Sequence, residues 1–171
     1  MEPVIRAGEA APDFELPDLD GHPHRLASQR GRLTVLHFWS AVCPWTERTD
    51  ERVLAAVCAA EADLWSIAAN ADESLDVLRR VAQERGLGLV LVDPRQYVAD
   101  LYAAAATPHV FLVDGEGILS YHGAPDDARF RDPRPRRSYL ADALDAVRAG
   151  RSPNPAVTMT YGCAIVRAAE A

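Results

Sequence analysis

The passage from LTVLHFW, Leu33 to Trp39, into SAVCPWTERTD, Ser40 to Asp50, constrains this chain more than any other. A near-continuous apolar run of that length reads as a strand covered on both faces, as at the centre of a sheet flanked by helices. The run stops at Ser40. Pro44 then suits a first helical turn, no breaker follows through Ala60, and Trp45, Val53, Leu54 and Val57 can form an apolar stripe. Strand, turn and helix therefore meet at Cys43.

The other segments build around that junction. Asp13 to Pro17 and His22 to Leu26 read as short extended pieces joined by Asp20-Gly21, an N-terminal β-hairpin. LWSIAA, Leu64 to Ala69, is a second strand. From Asp72 an amphipathic helix is predicted, with Leu75, Leu78, Val81 and Ala82 at helical spacing and Gly86 as its stop. LVLV, Leu89 to Val92, is a short strand, and QYVADLYAAA a short helix leading to Thr107-Pro108. HVFLVD and ILSYHG flank Asp114-Gly115-Glu116-Gly117, an antiparallel hairpin pattern. Ser138 to Ala149 reads as a last helix, with Ser138 as its N-cap. Residues 151–171 form an extended, proline-containing tail carrying Tyr161-Gly162-Cys163. Hairpin, βαβ, then ββα predicts an α/β domain spanning 1–171, a central mixed sheet flanked by helices.

Composition narrows the function classes. At 171 residues the chain has room for one domain of ordinary size. Its 18 Lys+Arg, all of them arginine, face 25 Asp+Glu for a net charge of −7, which argues against nucleic acid as a partner. The one arginine-rich stretch, Arg129 to Arg137, is broken by Asp132, Pro133 and Pro135 and reads as a solvated loop. No run approaches the ~18 apolar residues of a membrane span. The opening MEPVIRAGEAAPDFELP has no signal-peptide core, so the expected compartment is the cytoplasm. Three cysteines are too few and too scattered for a disulfide scaffold.

Chemistry concentrates at Cys43. A thiol between a buried strand and a helix N-terminus is exposed to free amide N–H groups and the positive end of the helix dipole, both of which favour the thiolate. Thr46, one turn on, can point its hydroxyl at the sulfur. Trp39 and Trp45 flank the cysteine, the first packing beneath the site and the second placed to meet a substrate. Cys58 sits among small apolar residues and is expected to be buried and inert. His37 is expected to be a satisfied polar residue of the buried strand, while His109 either lies near Cys43 or faces away. His22-Pro23-His24 has no completing ligands, so no metal is expected.

Taken together, "APDFELPDLDG", "VLHFWSAVCPWTERTD", "TPHVFLVDGEGILSYHGAPDD" and "YGCAIV" resemble the peroxiredoxin-like (redoxin, AhpC/TSA) branch of the thioredoxin superfamily, from Gly8 to about Ile165. The resemblance implies a thioredoxin-like fold and a redox-active Cys43 that needs no cofactor. Where thioredoxin-like members carry CxxC, this chain reads Cys43-Pro44-Trp45-Thr46, so the usual local disulfide cannot form. Where peroxiredoxins carry PxxxTxxC and a later arginine, Ser40 stands for the threonine, Leu36 for the proline and Pro108 for the arginine. Thr107-Pro108 instead matches the superfamily's cis-proline, beside which a substrate chain pairs with the backbone. The resemblance also makes Cys163 a candidate resolving cysteine, within one chain or across a homodimer. A tail cysteine that merely packs is the other reading. Asp126, Asp127 and Arg129 match a family element without an assigned role.

The expected catalytic set is Cys43, Cys163, Thr46 and Pro108, with Trp45, Thr107, Pro44 and Trp39 at the substrate. The leading expectation is a thiol–disulfide oxidoreductase acting on a disulfide or peroxide with a thiol reductant. A thiol peroxidase working through a Cys43 sulfenic acid, and a redox-inert binding module, are the alternatives.

Overall fold

The chain opens with the expected hairpin: β1 (Glu15–Pro17) and β2 (Pro23–Arg25) pair antiparallel, Leu16 opposite His24. The Asp18 carboxylate accepts the N–H groups of Asp20 and His22 at 2.8 and 3.0 Å, which closes the turn. The computed structural model describes residues 5–169; Met1 to Val4, part of the opening discussed above, lie outside the described residues, as do Glu170 and Ala171.

The apolar run becomes β3 (Thr34–Trp39), every residue of which is buried. It leads into α1 (Pro44–Ala59), with Cys43 as N-cap and Pro44 at the first helical position. Then follow β4 (Asp63–Ala68), α2 (Leu75–Arg85), β5 (Val90–Val92), α3 (Tyr97–Leu101), β6 (Ala106–Thr107), β7 (His109–Val113), β8 (Leu119–Gly123), α4 (Tyr139–Arg148) and β9 (Cys163–Ala164). α2 starts three residues later than its pattern predicts. The Ser74 hydroxyl caps it by accepting the Val77 N–H, and Glu73, just outside, is engaged elsewhere. Ser138 caps α4 in the same way, through the Ala141 N–H.

The five-stranded sheet runs β5-β4-β3-β7-β8, with β3, β4 and β5 parallel and β7 and β8 antiparallel additions. Side chains alternate across it, which separates two cores. Val35, Val110, Leu112 and Tyr121 meet Val53 and Val57 of α1 and Leu140 and Leu144 of α4. On the same face Trp39 and Ala68 meet Leu78, Val81 and Ala82 of α2. Leu36, Phe38, Ile67 and Phe111 point to the opposite face, covered by Phe14, Leu16, Val98, Tyr102 and, from the tail, Ile165. Phe38 is fully buried between Tyr102 and Phe111, so Phe38→Ala would cost about 3–5 kcal/mol through lost transfer and cavity terms. No helix among the described residues is long and apolar enough to cross a membrane.

The tail does not leave this body. β9 pairs antiparallel with β6, residues 156–158 lie along His122 at the β8 edge, and the Val166 N–H meets Asn70 Oδ1 at 2.7 Å.

Candidate active site

Cys43 ends the turn that follows the most buried strand of the sheet. Its N–H and that of Val42 are accepted by Ser40 Oγ at 3.1 and 3.3 Å. The Ser40 hydroxyl in turn bonds the Glu73 carboxylate, whose other oxygen accepts the Ala41 N–H at 3.2 Å. Ser40 thus serves the turn backbone. On the other side, Arg85 donates to the Ala41 carbonyl and to Asp50, each at 3.0 Å, and Asp50 also accepts Trp39 Nε1–H at 3.0 Å. The turn carrying the cysteine is therefore fastened from both flanks by buried or half-buried charged groups, the condition under which charge-assisted hydrogen bonds hold geometry best.

The Sγ atoms of Cys43 and Cys163 are joined in a disulfide within one chain, their Cα atoms 6.2 Å apart. Thr107 sits opposite Cys163 in the β6–β9 ladder, and its carbonyl oxygen lies 3.4 Å from Cys43 Sγ. The Thr107–Pro108 peptide bond is cis, as the resemblance implies. Cys43, Cys163, Thr107 and Pro108 are thereby brought to one place. Gly162 makes the approach sterically feasible. It adopts φ +126°, and a Cβ there would overlap the Thr107 carbonyl.

Several expected roles need correction. Thr46 does not address the sulfur; its buried hydroxyl points at the Ser40 and Cys43 carbonyls, 2.5 and 2.8 Å away, because a side chain one turn into a helix reaches the preceding carbonyls first. Trp39 is wholly buried and bonded to Asp50, so it supports the site from beneath and meets no substrate. Thr107 is buried too, and the extended chain on its backbone is the protein's own tail. Pro44 is exposed at the rim. Trp45 is half-buried, its ring 5.2 Å from those of Phe130 and Tyr161, with the Arg48 guanidinium above it. Phe130, Tyr139, Met159 and Tyr161 line a cavity of about 390 Å³ beside it.

Cys58 is exposed, contrary to expectation. Thr49, Val53 and Val57 form the buried stripe of that helix, continued by Ala60 just past its end, and Cys58 falls outside it. His37 is fully buried with neither ring nitrogen partnered among the described residues, and desolvation pulls its pKa down to about 4. His109 stacks on Phe111 at 4.2 Å, and burial, reinforced by nearby His122, lowers it to about 3. Neither is the satisfied polar residue that an isolated strand histidine ordinarily is.

Two residues escaped sequence reasoning. The Tyr161 hydroxyl donates to Asp126 Oδ1 at 2.5 Å, and Asp126, only 2% exposed, faces Arg52 of α1 at 3.4 Å. The sequence signals were present, an aromatic two residues before Cys163 and a matched aspartate, but nothing local connects them. Away from the site, Asp18, Asp20 and His22 place ligand atoms within 4.8 Å of one another, an exposed group explained by the hairpin turn's own hydrogen bonds.

A mixed sheet of this order, with a cysteine at the β3–α1 junction beside a cis-proline, defines a thioredoxin-fold oxidoreductase. More particularly, residues 7–122 match the AhpC/TSA family, and the chain belongs to it. Among curated relatives, thiol-disulfide oxidoreductase ResA of Geobacillus kaustophilus is 31% identical over 117 residues, 67% of each chain. Among solved structures, a hypothetical protein from Sinorhizobium meliloti superposes with TM-score 0.83 at 30% identity, covering 98% of this chain and 97% of that one. An uncharacterized conserved protein from Geobacillus kaustophilus gives TM-score 0.88 at 27% identity, over 98% and 95% of the two chains. The family match ends before the tail that carries Cys163.

Proposed function

We propose that this protein is a thiol–disulfide oxidoreductase whose working pair is Cys43 and Cys163. In the dithiol form the Cys43 thiolate attacks one sulfur of a substrate disulfide, forming a mixed disulfide and releasing the other half as a thiolate. Cys163, deprotonated, then attacks Cys43 Sγ, which expels the second substrate thiolate and closes the Cys43–Cys163 bond. An external thiol reductant reverses that closure. Electrons pass through sulfur alone, and no cofactor takes part.

The observation that carries this reading is the juxtaposition of the two sulfurs, with Cys163 held opposite Thr107. It also accounts for Thr46: the resolving role that a second cysteine of a CxxC motif would take has a candidate elsewhere in the chain. The relatives named as thiol-disulfide oxidoreductases favour the same chemistry.

The test is intact mass and peptide mapping after the reduced protein meets an equimolar small disulfide and free thiols are alkylated. Wild type is expected to yield an intrachain Cys43–Cys163 crosslink, Cys163→Ser a stable mixed disulfide on Cys43, and Cys43→Ser no reaction at either site. A crosslink that forms quickly with stoichiometric peroxide but not with disulfides would move the protein to the thiol-peroxidase class. A Cys43 that alkylates like an ordinary thiol and forms no adduct would leave only a binding module.

A further inference from the structure

Reduction frees Cys163 from Cys43, two residues 120 positions apart in sequence, so their reunion depends on what else holds the tail. Downstream the hold is spread over buried Ile165, the Val166 N–H on the Asn70 side chain and the Arg167–Asp100 ion pair. Upstream, residues 156–158 run along His122 and the Thr158 hydroxyl meets Tyr121 and Ala124, but the side chain nearest Cys163 that spans to the Cys43 helix is Tyr161. Tyr161 lies two residues before Cys163, and its ring packs against Trp45, two residues after Cys43. Its hydroxyl donates to Asp126 at 2.5 Å, and Asp126 faces Arg52 from α1, the helix that Cys43 caps. Burial and the adjacent carboxylate both push the Tyr161 hydroxyl above its ordinary range, so it remains a donor at all working pH values.

Resting on the function proposed above, we propose that Tyr161, locked by Asp126, is a positioning residue that keeps Cys163 within reach of Cys43 in the dithiol state. The ring sets the distance between the elements carrying the two sulfurs, and the hydrogen bond fixes the ring. A reacting pair gains its advantage from such pre-alignment, and small displacements lower the effective concentration of one group at the other steeply. Tyr161 touches neither substrate nor sulfur in this role; it acts through the position of Cys163.

The experiment equilibrates the protein with glutathione and glutathione disulfide, in which the protein dithiol and one glutathione disulfide give the protein disulfide and two glutathione thiols. Tyr161→Phe, which keeps the ring and removes the hydroxyl, is expected to lower that equilibrium constant about tenfold, a potential about 30 mV less negative. Asp126→Asn should shift it in the same direction. The double variant should add little to Tyr161→Phe alone, because the two groups form one interaction. The rate of mixed-disulfide resolution, divided by the rate of first attack measured in the Cys163→Ser background, should fall by a similar factor.

An unchanged potential and rate ratio, with only the melting temperature lowered, would make the contact merely structural and overturn the proposal. So would a parallel fall in both rates, which would place the effect on Cys43. Wild type that forms no Cys43–Cys163 disulfide with glutathione disulfide overturns the proposed function as well, whereas normal wild-type cycling with indifferent variants overturns this inference alone.

Discussion

Cys163 faces Thr107 across a two-residue antiparallel ladder, so the strand that carries one sulfur lies on the backbone beside the cis-proline. That ladder closes only because Gly162 has no side chain where a Cβ would overlap the Thr107 carbonyl. Gly162→Ala is therefore expected to lift the tail from β6 and slow Cys43–Cys163 closure at least tenfold, read by quenched alkylation and mass. Closure at the wild-type rate would show that the ladder does not deliver the cysteine.

Reducing the disulfide should also destabilise the fold. The bond closes a loop of 120 residues, and in the chain-entropy model such a constraint on the unfolded chain is worth up to about 4–5 kcal/mol. Urea unfolding of the oxidised protein, compared with the reduced protein or with Cys163→Ser, should differ by that amount. Coincident transitions would mean that the reduced unfolded chain is already as restricted as the oxidised one.

Much of this was legible from residues alone, for reasons particular to each. β3 and α1 announce themselves because an apolar run and a 3.6-residue stripe are local patterns, and Ser138 and Gly86 mark helix ends by local chemistry. The pairing of Cys43 with Cys163 has no local signal. Only the resemblance of YGCAIV to a family element pointed to it. Thr46 and Cys58 were misread because composition does not report which carbonyl a hydroxyl reaches, or which side of a helix a small residue takes. Tyr161 and Asp126 lie 35 residues apart and meet only in the folded tail.

Acid should weaken the protein well before its carboxylates titrate. His37 and His109 are held neutral by burial, at about 4 and about 3, against about 6.5 in the unfolded chain. The unfolded state thus binds more protons, so their contribution is complete above pH 6.5 and is lost as pH falls toward the folded values. Asp50 opposes the shift at His37, and His122 adds to it at His109. Between pH 7 and 4.5 the unfolding free energy should drop by on the order of 3–5 kcal/mol, and His37→Leu should flatten the slope by roughly half. A level profile over that range sinks the assignment.

Asp50 tests the support beneath the turn. It is 3% exposed and holds Trp39 and Arg85 together. Arg85→Ala removes the cation and leaves that carboxylate buried without its partner, so a loss of about 3 kcal/mol is expected in chemical denaturation. The same variant frees the Ala41 carbonyl, and Cys43 should alkylate faster in its reduced form. Unchanged alkylation would separate the stability of this network from the shape of the turn.

The separation of the two sulfurs along the chain also has a temporal side. At about 5–20 residues per second of synthesis, Cys43 emerges on the order of ten seconds before Cys163 exists. During that interval the nascent chain holds one other thiol, Cys58, on the same helix. Once α1 has formed, its rise of about 1.5 Å per residue keeps Cys43 and Cys58 roughly 22 Å apart. A rapidly folding helix therefore acts as the chain's own guard against the wrong crosslink until the right partner is made.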